Sequence, residues 1–279
     1  MSLDLDERQR AMLEEMQVRV WWPRADVAVV QAETRPAPVA AFAAAAPALP
    51  LQRSATAPSR PAAPVTGNPP MPVAAVDGMD WLELAATVAG CTACQLCIGR
   101  KAPVFGAELT TRQADWLVVG EPPDELEERA GAPFAGEAGQ LLDNMLRAVQ
   151  VARDGRGSSG ARVTNVVKCR SAPVRNPKTE ELAACAVYLR REITLVRPKV
   201  ILAMGRFAAL SLLAESSPEL AGLPFGKLRG QVHRYCGVPV VVTHHPSRLL
   251  RAQEDKAGAW ADLCLAQGIA RTGLPQDAV

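Results

Sequence analysis

The chain has 279 residues, 48% of them hydrophobic and 22% charged, with a formal net charge of +2 at neutral pH. A folded globular body of α/β size is expected, with room for an appendage. No apolar run reaches the length of a membrane span, and the charged opening MSLDLDERQR lacks the apolar stretch of a secretory signal, so a cytoplasmic protein with reduced thiols is expected.

Residues 1–30 place Leu5, Met12, Leu13 and Met16 on one face of a short helix, followed by Val18, Val20, Trp21 and Trp22 and stopped by Pro23. Two tryptophans on a short segment suit docking into a partner's groove, or packing back on the chain's own domain. The segment resembles the N-terminal peptide of the clamp-loader psi subunit, which implies a replisome or clamp-loader protein as the partner. Residues 31–79 form a Pro/Ala-rich linker, with 10 of the 23 prolines between positions 34 and 76. Such a stretch cannot build a core and is expected to be disordered.

A folded domain is expected over 80–271, with a short tail at 272–279. WLELAATVAG reads as a helix leading into a cysteine cluster. Strands are predicted at 115–121, 161–169, 199–205 and 238–246. Helices are predicted at 137–151, 179–196, after Gly205, and around 255–269. This alternation implies a three-layer α/β/α fold with a central, mostly parallel four-stranded sheet. Glu121, Asn165, Gly205 and the pair His244–His245 each lie at or towards the carboxyl end of a predicted strand. Ligands of open α/β sheets bind beyond the carboxyl ends of the strands, so these residues form a candidate site. Charge is also uneven: residues 162–256 carry 16 basic and 7 acidic side chains, whereas residues 1–80 carry 7 and 9. The local excess suits a polyanion-facing surface, or a solvated basic face.

Cys91 and Cys94 form a chelating Cys-x-x-Cys pair, and Cys169 and Cys185 a second, wider pair. Four thiolates can hold a zinc ion or a 4Fe–4S cluster, and spacing alone leaves both open. Cys97 is a fifth candidate. Cys236 and Cys264 are expected to pack as small apolar groups.

Five stretches, in order over roughly residues 81–270, resemble the iron–sulfur uracil-DNA glycosylases, family 4 of that superfamily. They are CTACQLCIGRKAPVFGAE, VVGEPPDELEERAGAPFAGEAGQLLDNML, VTNVVKCR with Cys185, RPKVILAMGRFA and HPSRLLR. The resemblance implies a monomeric DNA repair enzyme that flips uracil out of DNA and hydrolyses its N-glycosidic bond. It implies a 4Fe–4S cluster on Cys91, Cys94, Cys169 and Cys185, leaving Cys97 out. Phe134 would stack on the extruded base, and the amide of Asn165 would offer both donor and acceptor to its O4/N3 edge. His245 would donate to the charge developing on O2, and Glu121 would position or activate water. Ser247, Arg248 and Arg251 would meet DNA, with Leu249 as a wedge in the base stack and Lys168, Arg170 and Arg229 adding phosphate affinity. Blander roles also suit several of these residues: Phe134 a core position, Asn165 a strand-end cap, DELEER a solvated loop, His233 and His244 structural places. One departure stands out. Where the family has GEAPG this chain has GEPPD, so Asp124 replaces a glycine free to take positive φ. That change favours an alternative, a catalytically weak iron–sulfur DNA-binding module associated with the replication machinery.

Overall fold

The computed structural model describes residues 73–106, 113–171 and 175–273. The segment 1–30 and most of the 31–79 linker therefore lie outside the described residues. In chain order the elements are α1 (Val73–Val76), α2 (Trp81–Gly90), β1 (Ala114–Gly120), α3 (Glu125–Ala130), α4 (Gly136–Ala148), β2 (Gly157–Asn165), α5 (Thr179–Val196), β3 (Val200–Met204), α6 (Arg206–Ser216), α7 (Phe225–Leu228), β4 (Val232–Tyr235), β5 (Val238–Thr243), α8 (Pro246–Leu249) and α9 (Lys256–Thr272). Val76 is fully buried among the core side chains, so ordered packing begins upstream of Asp80.

Five strands form one sheet in the order β2-β1-β3-β5-β4. All neighbours are parallel except β4 and β5. The expected sheet of four strands is thus corrected to five. Tyr235 and Val238 are joined by Cys236 (φ 50°) and Gly237 (φ 79°). Two consecutive positive φ angles in a two-residue loop match the twist of an antiparallel hairpin. The short VHRY strand was hidden because cysteine, not asparagine or aspartate, precedes the glycine.

Alternation along each strand sends side chains to two helical layers. Leu117, Val119, Ile201, Ala203, Val240 and Val242 pack with Trp81, Leu84 and Val88 of α2 and with Ala208, Ala209, Leu212 and Leu213 of α6. Trp116, Val118, Leu202, Met204 and Val241 face the other way, against Leu142 and Leu146 of α4 and Leu263, Ala266 and Ile269 of α9. With both faces covered, β3 is buried at every position, which explains its unbroken apolar run. Each such large side chain contributes roughly 1.5–3 kcal/mol.

The register aligns the strand ends. Gly120 pairs with Asn165, Val119 with Ala203, and Met204 with Thr243. The loops that follow β1, β2, β3 and β5 therefore emerge along one edge of the sheet.

Candidate active site at the carboxyl ends of the strands

Glu121 leaves β1 and turns its carboxylate onto the start of α6. Oε1 accepts from the Phe207 main-chain N–H at 2.9 Å. Gly205 (φ 106°) permits this approach, because a Cβ there would collide with the Glu121 carboxylate. Burial pushes the carboxyl up to about 7, and the N–H groups of Phe207 and Ala208 offset only part of that.

Asn165 ends β2. Its Nδ2 donates to the Glu121 carbonyl at 2.9 Å and to Glu127 Oε1 at 3.1 Å. Two acceptors on one side fix the amide's orientation, and Oδ1 is buried without a hydrogen-bond partner. The donor half of the amide is thus already engaged by the protein, which narrows the expected donor-and-acceptor role to the acceptor.

Glu127 is the residue that sequence reasoning missed. DELEER is not a solvated loop. It caps and forms α3, with Glu127 and Glu128 buried. Asp124 Oδ1 accepts from the Glu127 N–H at 2.9 Å, and the Asp124 N–H donates to Glu127 Oε2 at 2.8 Å. This reciprocal capping box was readable in the Asp-x-x-Glu spacing. Asp124 has φ −92°, ordinary extended backbone, so the glycine-to-aspartate departure carries no strain. The second oxygen of Glu127 accepts from the Phe134 N–H at 2.5 Å as well as from Asn165. Burial raises the Glu127 carboxyl, offset in part by the Asp124 N–H and the Asn165 amide.

Phe134 adopts φ 54°, a conformation a non-glycine residue holds only when its surroundings enforce it. Glu127 grips its N–H, and the guanidinium of Arg153, itself paired to Asp143 at 2.6 Å, donates to its carbonyl at 3.4 Å. The buried ring lies against Gly120, where an added Cβ would come within 2.6 Å of it. It also stacks on the His245 imidazole, with centroids 5.1 Å apart and planes at 21°.

His245 follows β5 and caps α8. Its Nδ1 accepts from the Ser247 N–H at 3.3 Å and lies 2.8 Å from the Ser247 hydroxyl. A main-chain N–H can only donate, so the neutral ring carries its proton on Nε2. Burial lowers the imidazole to about 4, and nearby Asp124 opposes this only in part. The ring is therefore neutral at physiological pH and presents Nε2–H as a donor. His244 instead lies 2.8 Å from an Arg229 nitrogen and 3.6 Å from Asp255, a structural place. His233 binds the Leu228 carbonyl at 2.8 Å, another one.

Contacts thus chain Glu121, Asn165, Glu127, Phe134 and His245 together, as the strand-end argument expects. Other expected roles change. The Ser247 hydroxyl sits on the imidazole rather than facing outward. Leu249 is 2% exposed, whereas its neighbour Leu250 is 39% exposed, so the wedge position is buried in this structure. Lys168 is buried against Glu192, Arg170 pairs with Glu128, and Arg229 pairs with Asp262, so none is a free cation for phosphate. Arg248 and Arg251 remain exposed, Arg248 with an ion pair to Asp255 at 2.7 Å.

Cys91, Cys94, Cys169 and Cys185 line one cavity, which Cys97, Arg100 and Tyr188 also border. Arg100 donates to the Cys169 sulfur at 2.9 Å. Burial pushes Cys169 up to about 11 and Cys185 to about 12, with Arg100 and Lys168 as the opposing cations. Among the described residues no three His, Cys, Asp or Glu side chains close tightly enough around a single metal ion. Cys236 and Cys264 are exposed rather than packed, Cys236 because it forms the hairpin turn.

This mostly parallel sheet, with a carboxylate, an amide and an imidazole gathered at its strand ends, is an enzyme-like α/β architecture whose sequence matches the Uracil DNA glycosylase superfamily over residues 107–265. The chain belongs to that superfamily. Its relatives there include the Type-4 uracil-DNA glycosylase of Thermotoga maritima, 37% identical over 171 residues that span 61% of this chain and 82% of the relative. The Type-4 uracil-DNA glycosylase of Pyrobaculum aerophilum is 36% identical over 62% of this chain and 86% of its own length. A Type-5 uracil-DNA glycosylase of the same organism is 31% identical over 54% of this chain and 67% of its own length.

Proposed function

We propose that this protein is a monofunctional uracil-DNA glycosylase that starts base excision repair. The observation that supports this best is the locked amide of Asn165, with its unpartnered Oδ1. A uracil flipped out of DNA offers N3–H to that acceptor. Cytosine presents a lone pair at N3 instead, so it would leave two acceptors facing each other. Glu127 and the Glu121 carbonyl enforce the choice by occupying the amide's two donors. Phe134 supplies an apolar aromatic wall for the base. As the glycosidic bond breaks, negative charge grows on the uracil O2 and positive charge on the sugar. The Nε2–H of His245 stabilises the first. Glu121, when ionised, favours the second and orients the attacking water. Arg248 and Arg251 hold phosphates on the exposed rim, and Ser247 supports the imidazole.

Cys91, Cys94, Cys169 and Cys185 would hold a 4Fe–4S cluster, a fit supported by four sulfurs around one cavity and by the Arg100 guanidinium on Cys169. Bound there, it would cross-link the loop after α2 to the end of the β2 loop and to α5. Cysteines that hold a cluster rather than disulfides suit a reducing, cytoplasmic compartment.

The direct test is a uracil-containing oligonucleotide, single-stranded and duplex, followed by alkaline cleavage of the abasic product. Scission is expected at uracil and none at thymine or cytosine. Absence of scission at low salt, by protein with full visible iron–sulfur absorption, would refute the activity. We further assign residues 1–30, with Trp21 and Trp22, to docking on a replisome or clamp-loader protein, from their sequence pattern. Removing residues 1–72 then leaves turnover on a short oligonucleotide within about twofold, since Val76 and all site residues remain. Loss of activity would show that the segment belongs to the catalytic body.

A further inference from the structure

Beneath the site lies a buried ion pair that the proposed chemistry does not use. Lys168 is 1% exposed and Glu192 3%, with Nζ 2.6 Å from Glu192 Oε2. Burying two charges costs desolvation that their attraction scarcely repays, and apolar replacements of both are often as stable. Stability alone therefore gives little reason for the pair, whereas its hydrogen bonds suggest one.

The ammonium has three protons and three partners: Glu192 Oε2, Thr164 Oγ1 at 2.6 Å, and the Asn165 carbonyl at 3.0 Å. Glu192 in turn accepts from the Thr164 hydroxyl at 3.0 and 3.1 Å. Two of the three grips thus fall on the last two residues of β2. β2 is an edge strand: β1 is its one neighbouring strand, and its further bridge, Gly160 to Ala152, lies at its other end. The Val166 N–H points inward to the Gly120 carbonyl, so by alternation the Asn165 carbonyl points away from the ladder. Lys168 supplies the partner that the sheet cannot. Its own carbonyl is committed elsewhere, accepting from the Val104 N–H at 2.7 Å.

We propose that Lys168, ion-paired to Glu192, is a positioning residue for Asn165. It holds the main-chain carbonyl whose residue presents Oδ1 to the base, and its own carbonyl ties it to Val104, seven residues past Cys97. This rests on the glycosylase assignment for its effect on turnover, but the grip itself can be measured without it.

The experiment uses the full chain carrying both Lys168→Met and Glu192→Met, because either change alone strands a buried charge. Asn165 side-chain amide exchange is followed by nitrogen-15 NMR, together with the thermal midpoint, visible absorption, kcat and KM on a uracil oligonucleotide. The double variant is expected to keep its thermal midpoint and absorption, to exchange the Asn165 amide at least tenfold faster, and to lose about tenfold in kcat with KM within threefold. Wild-type exchange in the folded double variant would overturn the proposal, and so would faster exchange with undiminished kcat. Faster exchange in a protein whose wild type cleaves no uracil DNA would confirm the grip while refuting the glycosylase assignment. If the double variant does not fold, Thr164→Val decides: about threefold faster exchange supports the proposal, and none refutes it.

Discussion

His245→Ala is expected to lower kcat on uracil-containing DNA by on the order of 10²–10³-fold, the usual cost of removing one donor to a developing oxyanion. The proposed donor nitrogen follows from the contacts of the ring. Ser247 occupies Nδ1 with its N–H, so the proton sits on Nε2, and burial keeps the ring from charging until about pH 4. A neutral donor costs less to hold in a buried site than an imidazolium and still meets the growing charge on O2. The rate should therefore show no histidine limb between pH 5 and 9. Visible absorption from the proposed cluster should match wild type, since His245 is not among the residues lining the cysteine cavity. A variant within threefold of wild-type kcat, or one that loses absorption, would remove His245 from its assigned role.

Glu121→Gln is the second large effect. A positioned base contributes roughly 10²–10⁴-fold, and the substitution keeps an acceptor for the Phe207 N–H while removing the charge. Because burial raises the carboxyl to about 7, kcat/KM of the wild type should climb with pH through that value and level off above it. The glutamine variant should be flat as well as slow. Stability runs the opposite way. A folded-state pKa raised from 4.5 to about 7 stabilises the fold fully below pH 4.5, and this contribution is lost as pH rises through 7. The variant should therefore be the more stable protein at pH 8, by up to about 3 kcal/mol, with the advantage gone below pH 4.5. Denaturant midpoints at the two pH values would reveal it. An acid limb that persists in the glutamine variant would assign it to another group.

The strand ends were legible because burial on both faces writes itself as apolar runs, and a polar residue after each run can only lie at the sheet's edge. Glu121 and the pair His244–His245 were found that way, whereas Asn165 follows the half-exposed β2, and its role, like the choice of His245, came from the family resemblance. The β4 strand escaped because four residues with one charge and one histidine resemble a loop, and its turn uses a cysteine at positive φ. Glu127 escaped for a different reason. Three of four consecutive positions around it are acidic, and charge density suggests solvent unless the capping-box spacing is weighed first. The cations Lys168, Arg170 and Arg229 looked like a DNA-facing surface because their partners Glu192, Glu128 and Asp262 lie 24, 42 and 33 residues away. A long-range ion pair leaves no local periodicity to read. Leu249 and Ser247 stand on a short helix whose facing depends on packing that residue spacing does not encode.

Phe134 also makes the site hard to remodel piecemeal. Its ring bars any larger residue at Gly120, its carbonyl bars one at Gly139, and its backbone is clasped by Glu127. Enlarging the base chamber through any one of these positions would disturb the others, so variants that admit bulkier lesions should arise through paired changes here, or on the opposite rim.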